Sequence, residues 1–126
     1  MKTAHDLVQE AKARIHEVPL EEAQAAINDA VLLLDVREGD EYHAGHIPGA
    51  VSIPRGILEF KLSNDPALDL RDQPIVIYCK TSGRAALAAA TMKEMGYLHV
   101  QSIEGGFDAW QDAGKPVVTP DMPDFE

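Results

Sequence analysis

One cysteine stands in the 126 residues, at position 79. A lone thiol cannot close an internal disulfide, and it suits a reducing compartment where a free thiol survives. Long apolar runs are missing too: nothing approaches the ~18–20 residues that a membrane-crossing helix needs. Residues 1–17, MKTAHDLVQEAKARIHE, are charged throughout and lack the apolar stretch of a secretory leader. These absences predict a cytoplasmic protein with no membrane partner. Basic residues are short as well, with 11 Lys and Arg against 21 Asp and Glu and a formal net charge of −10. No dense basic cluster breaks that balance. A phosphate backbone would be repelled, which excludes a general role in nucleic-acid binding. Internal repeats and low-complexity segments are also lacking.

What is present fits one soluble domain. The chain is long enough to bury a single core, and 45% hydrophobic with 25% charged residues is a globular composition. Leu7, Val8, Ala11 and Ile15 fall at helical spacing and predict an amphipathic helix within residues 3–15. Val18 reads as a short extended lead-in to a helix started near Pro19, with Glu21 and Glu22 in its first turn. AVLLLDV and PIVIYC are continuous apolar runs, the pattern of strands buried on both faces. REGDEYHAGHIPGA predicts a turn-rich stretch with one helical turn, VSIP a short strand, and RGILEFKLS a brief helix. Leu87, Ala88, Thr91, Met92 and Met95 mark a helical face closed by Gly96, HVQSI is a further strand, and GGFDAWQDAG a short helix. Strands and helices alternate, so the prediction is an α/β domain with a central parallel sheet of about five strands and helices on both faces.

In such sheets ligands bind beyond the carboxyl ends of the strands, and Cys79 stands at one. Two readings fit it. A buried core thiol is one, since free cysteine is among the most buried residue types. The other is a nucleophile. Where a strand passes through a tight loop into a helix, loop N–H groups and the unpartnered first N–H groups of the helix attract an anion. The residues Lys80, Thr81, Ser82, Gly83 and Arg84 are polar or charged rather than apolar, and the helix is expected to begin immediately after Arg84. That favours the nucleophile. Lys80 and Arg84 are the expected source of local positive potential, and Gly83 the expected residue for unusual backbone angles.

With these residues in view, the chain resembles the single-domain rhodanese-like sulfurtransferases. LLLDVREGDEYHAGHIPGAVSIP is similar to the family's first signature, through Asp35, Val36, Arg37, Glu41, Tyr42, Gly45, His46, Ile47, Gly49 and Ala50. YCKTSGRAALAA resembles the active-site loop, and IEGGFDAW the C-terminal signature. The resemblance implies a rhodanese-like domain over residues 17–118, with a helical extension at 1–16 and an irregular tail at 119–126. It also implies that Cys79 takes a sulfur atom from a donor such as thiosulfate, carries it as a persulfide, and passes it to cyanide or a thiol. A protein thiol is one such acceptor, and no cofactor is implied. In one respect the loop departs from the pattern: Ser82 stands where a glycine is usual. A non-glycine residue forced to positive φ costs ~1–2 kcal/mol, so a different loop path is expected.

The nearest rival is a phosphatase or an arsenate reductase of related fold. Its signature has five residues between cysteine and arginine, whereas Lys80 to Gly83 are four. A shorter loop encloses a smaller anion site. A second rival, a non-catalytic regulatory or sulfur-carrier module, commonly lacks the cysteine that is kept here. Asp35 and Arg37 are expected as a structural ion pair or turn bond, and His46 as a structural hydrogen-bonding residue. Glu41, His43 and His46 lack the spacing for a metal site, and no metal is predicted. Gly105 and Gly106 read as a strand-to-helix turn, with Phe107 and Trp110 packing the last helix. Arg55 is a candidate for the site mouth, and Lys61 for the surface.

Overall fold

The computed structural model describes residues 1–120. In chain order it contains α1 (Ala4–Lys12), β1 (His16–Val18), α2 (Leu20–Asp29), β2 (Leu32–Asp35), α3 (Gly39–Ala44) and β3 (Val51–Ser52). There follow α4 (Leu58–Asn64), β4 (Pro74–Tyr78), α5 (Gly83–Glu94), β5 (His99–Ile103) and α6 (Gly106–Asp112). Short 3-10 turns at Arg55–Ile57 and Pro66–Leu68 flank α4. Among the described residues the five strands form one parallel sheet in the order β1-β5-β4-β2-β3. This is the α/β fold that the alternating pattern predicts.

The two continuous apolar strands explain the layering. Side chains alternate across a strand, so Ile75 and Ile77 of β4 face one side while Val76 and Tyr78 face the other. On the first side, Leu34, Ile75 and Ile77 pack with Leu58 and Leu62 of α4 and with Ala85, Ala88, Ala89 and Met92 of α5. On the other side, Leu33, Val76, Tyr78 and Ile103 pack with Ala23 of α2 and with Phe107 and Trp110 of α6. Each large aliphatic side chain removed from water contributes about 1.5–3 kcal/mol. Both faces are therefore needed to hold β4 at the sheet centre, with its carboxyl end pointing at Cys79.

The N-terminal helix adds a further layer outside α5. Thr3 and Asp6 form a capping box at its start, with Asp6 N–H donating to Thr3 Oγ1 at 3.1 Å and Thr3 N–H to Asp6 Oδ2 at 2.9 Å. Ala11 meets Ala86 and Ala90 on the side of α5 away from the sheet, with Val8, Ile15 and Leu87 around them. The alanine content of α5 follows from burial on two sides, where small side chains allow close approach. The helix ends at Lys12 rather than carrying through to Ile15, because the chain must turn to bring His16 into β1 against β5. At the other end, Val118 forms an antiparallel bridge with His46. The irregular tail expected at 119–126 lies, beyond residue 120, outside the described residues. Among them, no helix is long and apolar enough to cross a membrane.

Candidate active site

Cys79 directly follows β4 and is 1% exposed. It packs against the core side that holds Ile77 and Ala85, so the burial expected of a core thiol is present. The polar surroundings expected of a nucleophile are present too. The next five residues leave the core, and Ser82 O accepts the N–H of Ala86 at 2.9 Å to open α5. The helix thus begins at Gly83, two residues earlier than expected, and Arg84 lies inside it.

The backbone of this loop is held from α6. Phe107 N–H donates to Cys79 O at 2.8 Å, and Asp108 N–H to Lys80 O at 3.0 Å. In a trans peptide the carbonyl and the following N–H point in opposite directions. With those two carbonyls turned toward α6, the N–H groups of Lys80 and Thr81 point away from it. The N–H groups of Thr81, Ser82, Gly83 and Arg84 have no hydrogen-bond partner among the described residues. A run of free donors beside a helix start favours a small anion.

Gly106 makes this arrangement possible. It has φ +61°, and a Cβ there would fall 2.6 Å from Cys79 O and 2.8 Å from Lys80 O. Only glycine allows α6 to start so close to the loop. Gly83 has a different part from the one expected. Among the described residues it does not have positive φ, and a Cβ on it would only touch Val8 at 3.5 Å. Ser82 lies at φ −156°, so replacing the usual glycine carries no left-handed strain.

The loop cations are not free. Arg84 donates to Glu41 through both ends of its guanidinium, at 2.7 and 3.1 Å. The hydrogen bond from Arg84 is the main cause that lowers the Glu41 carboxyl to about 2, and the same bond raises the pKa of Arg84. Lys80 Nζ lies 2.7 Å from Asp108 Oδ2. The expected patch of uncompensated positive charge is therefore replaced by two ion pairs, because α3 and α6 each bring a carboxylate to the loop. An open cleft of about 290 Å³ runs beside these pairs, lined by Arg37, Glu41, Gly45, Lys80, Phe107 and Asp108.

Asp35 and Arg37 form the expected ion pair. It is buried, with Arg37 Nη2 2.8 Å from Asp35 Oδ2 and the Arg37 N–H on Asp35 Oδ1 at 2.9 Å. The same Nη2 donates to Gly45 O at 2.7 Å, and the guanidinium lies 4.2 Å from the Phe107 ring centre. Burial alone would lower the pKa of Arg37, but the bond and charge of Asp35 outweigh it and the net shift is upward. The pair braces the cleft wall. His46 stacks on Tyr42 with ring centres 3.8 Å apart, and its Nδ1 lies 3.1 Å from Tyr42 O. Among the described residues no group of His, Cys, Asp and Glu could hold a metal ion.

Arg55 does not join this group. Its guanidinium is bound to Glu59 at 2.9 Å and to Thr91 at 3.2 Å. Thr91 is eight residues beyond the start of α5, about 12 Å along the helix axis at 1.5 Å per residue. The expectation of a site-mouth role is not met, because the short 3-10 turn carries Arg55 over the middle of α5. Conversely, the parts played by Glu41, Asp108 and Gly106 escape sequence reading. Glu41 and Asp108 lie 43 and 28 residues from their partners. Only the GGFDAW motif, which contains Gly106 and Asp108, pointed to that part of the chain.

Known proteins share this architecture. Residues 19–113 match the model of the rhodanese-like domain. A sulfurtransferase of Allochromatium vinosum is 32% identical over 85% of this chain and 98% of its own. The thiosulfate sulfurtransferase GlpE of Pseudoalteromonas translucida is 36% identical over 66% of this chain and 75% of its own. Among solved structures, a protein of unknown function from Rhodopseudomonas palustris, described as a possible tyrosine phosphatase, has a TM-score of 0.83 at 33% identity. It covers 94% of this chain and 96% of its own. The chain belongs to the rhodanese-like domain family.

Proposed function

We propose that the protein is a sulfurtransferase that moves a sulfane sulfur from thiosulfate, or a related donor, to cyanide or a thiol acceptor. Cys79 is the nucleophile. The observation that carries this reading is the run of N–H groups from Thr81 to Arg84 that have no partner among the described residues, next to the one cysteine of the chain. The Cys79 thiolate attacks the outer sulfur of thiosulfate. A new S–S bond forms, the old one breaks, and its electron pair leaves with sulfite. The persulfide anion then rests among the loop N–H groups, which favour negative charge there. Cyanide attacks the outer sulfur, thiocyanate leaves, and the thiolate returns. A thiolate acceptor follows the same path and departs as its own persulfide. A protein thiol fits as acceptor, and the reaction belongs in the cytoplasm, where such thiols stay reduced.

A phosphatase is the second reading, favoured by the similarity to the Rhodopseudomonas palustris protein. The loop counts against it. Four residues between Cys79 and Arg84 enclose less space than five, and Cys79 at 1% exposure is reached more readily by a terminal sulfur than by a tetrahedral phosphate. The test is a turnover screen with thiosulfate, 3-mercaptopyruvate, glutathione persulfide and an aryl phosphate, run on wild type and Cys79→Ser. Sulfur transfer by the wild type, its loss in a folded Cys79→Ser, and no phosphate hydrolysis above background are expected. Efficient hydrolysis of the aryl phosphate would reverse the choice of class.

A further inference from the structure

Arg37 and Lys80 line the cleft, Arg84 reaches it through Glu41, and each of these cations has its own carboxylate. Arg37 is held by Asp35, Arg84 by Glu41, and Lys80 by Asp108. The cleft mouth is thus close to neutral in a protein of net charge −10. A site that captures a dianion by charge needs a cation to spare. Of the three, Lys80 is the nearest to being one: its side chain is 58% exposed and that of Asp108 40%, whereas the Arg37 pair is buried.

Asp108 holds Lys80 twice. Its N–H donates to Lys80 O at 3.0 Å, and its carboxylate lies 2.7 Å from Lys80 Nζ. The first contact fixes the loop backbone. The second only neutralises the ammonium, since exposed pairs of this kind add little to stability. We infer that Asp108 is a specificity-determining positioning residue: by occupying Lys80 it biases the site against dianionic donors and toward donors of lower negative charge. The inference rests on the sulfur-transfer reading. It concerns how strongly each donor is captured, and leaves the attack by Cys79 unchanged.

Asp108→Asn tests it, because the substitution removes the charge and keeps the backbone N–H and the side-chain shape. Two donors of like chemistry but different charge are compared, thiosulfate as dianion and methanethiosulfonate as monoanion. At low ionic strength the variant should lower KM for thiosulfate about three- to tenfold. The change for methanethiosulfonate should be about two- to threefold, since the Coulomb energy halves with the donor charge. The gain should fall on KM rather than kcat, and should fade in about 0.5 M salt, where the screening length drops to a few ångströms. Adding Lys80→Ala to the variant should abolish it. A merely structural effect would change both donors alike, act on kcat and ignore salt; that pattern overturns the inference. So does an unchanged KM for thiosulfate at low salt in a protein that transfers sulfur. A wild type that takes sulfur from neither donor overturns the sulfur-transfer reading itself.

Discussion

Cys79 is both a core residue and the start of a polar loop, and its neighbours reconcile the two. The thiol packs with Ile77 and Ala85, while the next residues present two paired cations and N–H groups without partners among the described residues. The Glu41–Arg84 pair has a consequence for acid stability. Arg84 lowers the Glu41 carboxyl to about 2 in the folded chain, against about 4.3 for an unfolded glutamate. A carboxyl depressed by folding contributes stability above its unfolded value, and loses it as pH falls toward the folded one. The difference in Tm between wild type and Glu41→Gln should therefore stay constant from pH 5 to 8. It should shrink as pH falls from about 4 toward 2. A difference that stays level down to pH 2 would show that the pair does not act through the ionised carboxylate.

At the level of elements, the loop depends on how closely α6 starts against it. Gly106→Ala would push a Cβ into the carbonyls of Cys79 and Lys80 and ask alanine to adopt φ +61°. The left-handed angle alone costs about 1–2 kcal/mol, and the overlap adds to it. A drop in Tm of about 10 °C is expected in thermal unfolding, with sulfur transfer reduced further than stability alone explains. A variant as stable and active as wild type would mean that α6 does not set the loop. Much of the architecture was legible in the sequence, because AVLLLDV and PIVIYC are apolar on both faces and can only be central strands. The place of Cys79 was legible, at the close of such a strand and the opening of a polar loop. The pairings were not, since Glu41 meets Arg84 and Asp108 meets Lys80 only after α3 and α6 have packed around β4. Arg55 was misread for the same reason: its neighbours in sequence do not show that Thr91 will lie under it. Gly83 was misread because a glycine in a loop motif can simply be the first residue of a helix.

The whole molecule bears on the chemistry through its charge and through its single cysteine. With a net charge of −10 and the loop cations paired, a dianion such as thiosulfate would approach against repulsion. The kcat/KM for thiosulfate should rise as inert salt increases from about 20 to 200 mM, since the screening length shortens over that range. A steep fall would mean that uncompensated positive charge governs capture. The single cysteine means that nothing within the chain can displace a persulfide from Cys79, so the loaded form should persist until an acceptor arrives. Intact-mass spectrometry tests this most directly. Protein treated with thiosulfate and freed of excess donor should carry a population heavier by one sulfur atom. Cyanide should return it to the starting mass with release of thiocyanate, and Cys79→Ser protein should gain nothing. Turnover by a wild type that never carries the extra sulfur would contradict the persulfide mechanism and leave direct transfer between bound partners in its place.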